Sequence, residues 1–141
     1  MQALRILAVV LFLILSALLL AFGLLYASVS EMLFFHAAAV PEAAREAVRP
    51  IYFALMKLVG GASIGLALLG AWVTLGPLRA GARFAGTVLA LTYALPVAMA
   101  GYVAEQLRIE TGAPTSWNLM LVLLAVIALA FGAHAASAGK R

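Results

Sequence analysis

Residues 4–28 read LRILAVVLFLILSALLLAFGLLYAS, an apolar run broken only by Arg5 near its start and by Ser16, Tyr26 and Ser28 further on. A bilayer core of roughly 30 Å is crossed by ~20 apolar residues in a helix, so this run is long enough to span one. It is also longer than the ~7 to 15 residues of a secretory signal core, and the weak cleavage-like Ser28-Val29-Ser30 does not change that. A retained transmembrane helix over about 4–28 is therefore expected.

Three further runs of the same kind follow. The second extends over about 51–75 and meets a breaker pair at Gly76-Pro77. The third covers about 84–107 with Pro96 inside it, which a membrane helix accepts when neighbours re-satisfy the freed carbonyl. The fourth, about 116–136, follows Gly112-Ala113-Pro114, with Thr115 or Ser116 placed to cap it. Four spans nearly exhaust 141 residues, so the expected architecture is all-α: one membrane domain over 1–141, a four-transmembrane-helix bundle. Composition agrees, since 67% of the residues are hydrophobic and only 10% are charged.

Lysine and arginine orient the bundle. Arg5, Arg79, Arg83, Lys140 and Arg141 fall on one side without an acidic residue, whereas Arg45, Arg49 and Arg108 share the other with Glu31, Glu42, Glu46, Glu105 and Glu110. The positive-inside rule makes the first side cytoplasmic, with both termini inside, in a bacterial cytoplasmic membrane. Tyr26, Tyr52, Tyr102 and Trp117 then mark the outer interface and Trp72 an inner one. The scattered arginines are topology signals, so no nucleic-acid partner is expected. The partner they imply is the lipid bilayer.

The longest connection lies between the first two spans. Pro41 suits a first helical turn, Glu42 the positive end of a helix dipole, and Arg45 and Arg49 the other end. A short interfacial helix over about 41–49 is expected on the outer surface, preceded by Met32 to Phe35 as interfacial anchors. It covers the bundle or offers a docking surface.

Within the spans, Lys57 is the one charged residue that enters the second run. It lies only about 9 Å along the helix from Ile51, so its ammonium can snorkel outward. It also shares a helix side with Gly61 and Gly65, whose spacing permits close helix packing. A lysine on a packing side needs a partner, for which Glu31 and Glu105 are candidates. On the third run Gly86, Ala90, Ala94, Gly101 and Glu105 form a small-residue stripe. A polar pocket in the outer half, lined by Lys57, Tyr93, Tyr102, Glu105 and Glu31 and covered by His36, is the expected site, either as a structural ion pair or as a ligand site.

Several chemistries are unsupported. Cysteine is absent, which removes thiol catalysis, disulfide exchange and thiolate-ligated metals. His36 and His134 fall at opposite ends and cannot share a haem or another metal. The first span has only Ser16 where a small four-helix proton-coupled exporter carries a mid-membrane carboxylate. Ser28, Ser30, Glu31 and His36 make a nonspecific constellation for a hydrolase. No catalytic residue or metal ligand is assigned, and no cofactor is identified. What remains is a non-catalytic membrane protein acting as homo-oligomer or accessory subunit, or a small binder or transporter of a lipid, quinone or hydrophobic solute.

The assembled pattern, with Phe34-Phe35-His36 in a loop, Leu55 to Gly61 opening the second span, Gly76-Pro77-Leu78-Arg79 after it and Glu110 to Trp117 before the fourth, resembles uncharacterised bacterial four-helix membrane proteins that are loosely DoxX-like. The resemblance implies a topology. Some proteins of that group are associated with quinone-linked sulfur oxidation or act as partners of redox enzymes.

Overall fold

The computed structural model describes residues 2–138. Lys140 and Arg141, counted above among the basic residues of one side, lie outside the described residues. Four helices are long and apolar enough to cross a membrane. They are α1 (Gln2–Ser28), α3 (Arg45–Val73, continued by a π turn Thr74–Leu78), α4 (Arg83–Thr111) and α5 (Asn118–Ala138). A short α2 (Phe34–Ala39) and a 3-10 turn (Glu42–Ala44) fill the first connection. Among the described residues there is no strand.

Three boundaries differ from the expected ones. The helix expected over 41–49 is not a separate element: Glu42–Ala44 is a 3-10 turn that runs directly into α3, which begins at Arg45 and passes through Pro50. Proline six residues into a helix removes one bond, to the Glu46 carbonyl, close to the exposed helix start where water satisfies it. The short helix lies upstream instead, where Arg45 ties down its last turn by donating from Nη2 to the Ala37 carbonyl at 2.9 Å and from Nε to that of Val40 at 3.3 Å. Gly76-Pro77 does not stop the second span either. The chain widens to a π turn, and the Pro77 carbonyl accepts the Ala82 N–H at 2.9 Å. A π turn accommodates the missing proline N–H without ending the helix.

Thr115 and Ser116 do not cap α5. The Thr115 hydroxyl donates to the Ala104 carbonyl at 2.6 Å, tying the loop back to α4. Gly112, at φ 71°, ends α4 in the left-handed conformation that a side chain disfavours, and its N–H reaches the Arg108 carbonyl at 3.0 Å.

α1 is the central helix. It packs along α3 on one side and α5 on the other, α5 packs on α4, and α3 and α4 meet only sparsely. The core of Phe12, Leu15, Val73, Leu78, Ala85, Leu89, Tyr93, Ile127 and Ala130 lies toward the end of the bundle that carries the chain termini. Tyr93 reaches from α4 into this core, 2% exposed. Ser16 Oγ already donates its single hydrogen to the Phe12 carbonyl at 2.9 Å, so in the 2.6 Å contact between the two hydroxyls Tyr93 is the donor.

The close helix contact uses glycines other than those expected. Gly61 and Gly65 have open space where a Cβ would stand, so the side they share with Lys57 faces away from the bundle. The buried side of α3 is instead Gly60, Ser63, Ala67, Gly70 and Val73. A Cβ on Gly60 would lie 2.5 Å from the Ala27 nitrogen and 2.7 Å from the Gly23 carbonyl oxygen. Successive residues in a helix are separated by about 100°, so one step from Gly60 to Gly61 is enough to leave the interface. Gly86 and Gly101 do lie at close approaches, against His134 and Trp117.

Candidate functional site

At the end opposite the termini, the residues expected to form one polar pocket take separate partners. Glu105 pairs with Arg108 one turn away on α4, and Tyr102 accepts a hydrogen bond from Gln106 Nε2 at 2.9 Å. Glu31 and Lys57 are exposed, and among the described residues Lys57 has no acidic partner. Tyr93 is in the core, bonded to Ser16. The sequence placed all of these at similar depth, but the α3 side that carries Lys57 turns outward, and α4 stands away from α3.

His36 and Tyr52 do meet. His36 Nδ1 lies 3.0 Å from the Tyr52 hydroxyl, which also accepts the Leu33 N–H at 3.1 Å. Tyr26 and Phe35 pack against the imidazole. This aromatic cluster docks α2 on the bundle, so His36, expected to cover a polar pocket, packs against Tyr26 and Tyr52 at helix ends instead. Burial lowers the His36 pKa below its ordinary value of 6.5. The unfolded segment therefore takes up the proton more readily than the docked one. Stability from docking is full above about pH 6.5 and is lost as pH falls through the lowered folded value. Amide hydrogen exchange over residues 33–40, corrected for its intrinsic pH dependence, is expected to accelerate between pH 7.5 and 5.5. His36→Gln flattens that response.

The other end holds the more developed site. A cleft of about 590 Å³ opens between the first turns of α1, Arg79 just past the π turn and the last turn of α5, lined by Gln2, Arg5, Ile6, Val9, Val10, Arg79 and Ser137. Its volume falls in the ~300–1,000 Å³ range of small-molecule sites. Its lining joins the aliphatic Ile6, Val9 and Val10 to the basic Arg5 and Arg79, and among the described residues it includes no carboxylate. All five glutamates lie in the segments at or near the opposite end. Arg5 donates from its guanidinium to the carbonyl of Arg79, the residue that follows the π turn.

Behind Arg5 a second cavity of about 10 Å³ is lined by Arg5, Leu78, Gly81, His134, Ser137 and Ala138. His134 is 3% exposed, and neither ring nitrogen has a hydrogen-bond partner among the described residues. Gly86 makes room for the ring: a Cβ there would lie 2.3 Å from His134 Cδ2. Ser137 donates to the His134 carbonyl at 2.8 Å, which leaves its oxygen as an acceptor facing the same space.

Sequence reasoning assigned Arg5 and Arg79 to topology and used His134 only to exclude a shared metal. The missed signal was His134 itself, an ionisable group inside an otherwise apolar run, which marks a functional position more often than a structural one. Comparison of the chain with protein-family models, with curated proteins and with solved structures finds no match.

Proposed function

We propose that this chain is a non-catalytic integral membrane protein that binds a membrane-dissolved amphiphile in the cleft beside Arg5 and Arg79. The cleft itself carries the reading: an aliphatic wall of Ile6, Val9 and Val10 beneath a polar rim suits a molecule with an apolar body and a polar head. Charge distribution supports an orientation with this end in the cytoplasm, and the composition of the loops suits a bacterial cytoplasmic membrane.

Val10 is 45% exposed, so enlarging it fills the cleft without entering the core. Protein purified in mild detergent is expected to retain a lipid class enriched over the bulk membrane, read by mass spectrometry of the extract. Val10→Trp is expected to abolish that enrichment. A retained mixture identical to the bulk lipids in the unsubstituted protein overturns the reading.

A second reading, a homo-oligomer or accessory subunit, draws on the outward side of α3, where Gly61 and Gly65 leave open space beside exposed Lys57. The chain contains no cysteine, so a single Gly61→Cys substitution reports cleanly. Under this reading it forms an oxidative dimer in native membranes, while Leu129→Cys on α5 does not.

A further inference from the structure

We infer that the cleft selects its ligand by a phosphate head, held between the guanidinium groups of Arg5 and Arg79 in front of the buried imidazole of His134. This rests on the cleft being a ligand site and names the chemistry that it takes.

Two arginines border one cleft, and among the described residues no acidic one lines it, so an anion neutralises them more completely than any neutral head. Arg5 donates one N–H to the Arg79 carbonyl and has further N–H groups to offer a ligand. That bond uses the main chain of Arg79, and Arg79 is itself an exposed lining residue of the cleft. Gln2, with its side-chain amide, lines the same cleft.

His134 supplies the independent observation. A buried polar side chain without a partner is costly, and here it faces a space that Arg5 and Ser137 share with the cleft. Two guanidinium groups and a side-chain amide offer more N–H donors than the two oxygens of a carboxylate take up, while the His134 imidazole lies behind Arg5 in the separate cavity of about 10 Å³. These donors suit the three or more oxygens of a phosphate group. Basic pockets between membrane helices bind phosphate-bearing lipid heads on the same grounds. The aliphatic wall adds a place for the chain of a lipid, while free phosphate would use the rim alone.

Native mass spectrometry of the full chain in detergent micelles separates the cases, using dioleoyl phosphatidylglycerol, dioleoylglycerol as the uncharged analogue, and inorganic phosphate. Phosphatidylglycerol is expected to be retained at least about tenfold better than dioleoylglycerol. Arg79→Gln, which keeps the carbonyl that holds Arg5, is expected to lose that preference while the thermal unfolding midpoint without lipid stays unchanged. Arg5→Lys, which keeps the charge and loses the fork, is expected to lose most of it.

Stabilisation by millimolar inorganic phosphate that equals that by phosphatidylglycerol would identify a soluble phosphate compound as the source and leave the head chemistry intact. Equal retention of phosphatidylglycerol and dioleoylglycerol overturns the phosphate selection and leaves the cleft reading standing. Retention of neither, with no effect of phosphate, overturns both. Ring ¹⁵N shifts of His134 are expected to move on adding phosphatidylglycerol to the unsubstituted protein, and unchanged shifts with lipid bound remove His134 from the site.

Discussion

Replacing Gly60 by leucine is expected to separate α1 from α3, whereas the same change one residue on, at Gly61, leaves the bundle intact. The contrast follows from what each new side chain meets. At Gly60 even a methyl group lies within 2.9 Å of three backbone atoms, the Ala27 nitrogen and Cα and the Gly23 carbonyl oxygen. No rotamer relieves a clash with a main chain. The helices must move apart along the interface that gives α1 its most extensive contact. Overpacking a tight core costs typically 1–3 kcal/mol, so Gly60→Ala is expected near the lower part of that range and Gly60→Leu at about 3 kcal/mol or more. Gly61→Leu enters open space beside lipid and is expected to stay within about 0.5 kcal/mol. Reversible unfolding in mixed micelles measures both. Equal losses for the two leucine variants would show that Gly60 is not the contact.

The second large effect is expected at Tyr93. Its ring lies near Phe12, with centroids 6.3 Å apart, and its hydroxyl occupies the notch above Gly70, where a Cβ would lie only 1.8 Å away. Tyr93→Ala empties the junction of α1, α3 and α4 and is expected to cost about 3–5 kcal/mol, as for other large aromatic deletions from cores. Tyr93→Phe removes only the bond to Ser16. It is expected to cost about 0.5–1.5 kcal/mol, because Ser16 keeps its bond to the Phe12 carbonyl. Gly70→Ala provides the matching test: strongly destabilising beside Tyr93 and nearly neutral in a Tyr93→Ala background. An additive double variant would mean that the two positions do not touch.

The four long helices were legible because length and apolarity suffice to mark a span. Which side of each helix faces its neighbours was not, because lipid and protein interior are equally apolar and the usual contrast between inside and outside disappears. Gly60 and Gly61 are adjacent, and small-residue spacing alone favoured Gly61 with Gly65. The structure selects Gly60 because Gly23 and Ala27 of α1 approach it there. An interfacial helix ending at 49 and a stop at Gly76-Pro77 are sound local expectations, yet the start of α3 absorbs Pro50 and a π turn absorbs Pro77. At the termini end, Arg5, Arg79 and His134 are far apart along the chain. Each had a sufficient local explanation, and only packing brings Arg5 and Arg79 to one cleft and His134 to the small cavity beside it.

The central position of α1 has a consequence for biogenesis. Its partners are α3, made soon after it, and α5, made last of the four long helices. During synthesis α1 and α3 can pair through Gly23 and Gly60 while the opposite stripe of α1 still faces acyl chains or the insertion machinery. That stripe is covered only when α5 is released, and the same event brings His134 and Ser137 to Arg5. Until α5 arrives, six of the seven residues that line the cleft already stand on α1 or just past the π turn, and Ser137, with His134 behind it, is the part still to come.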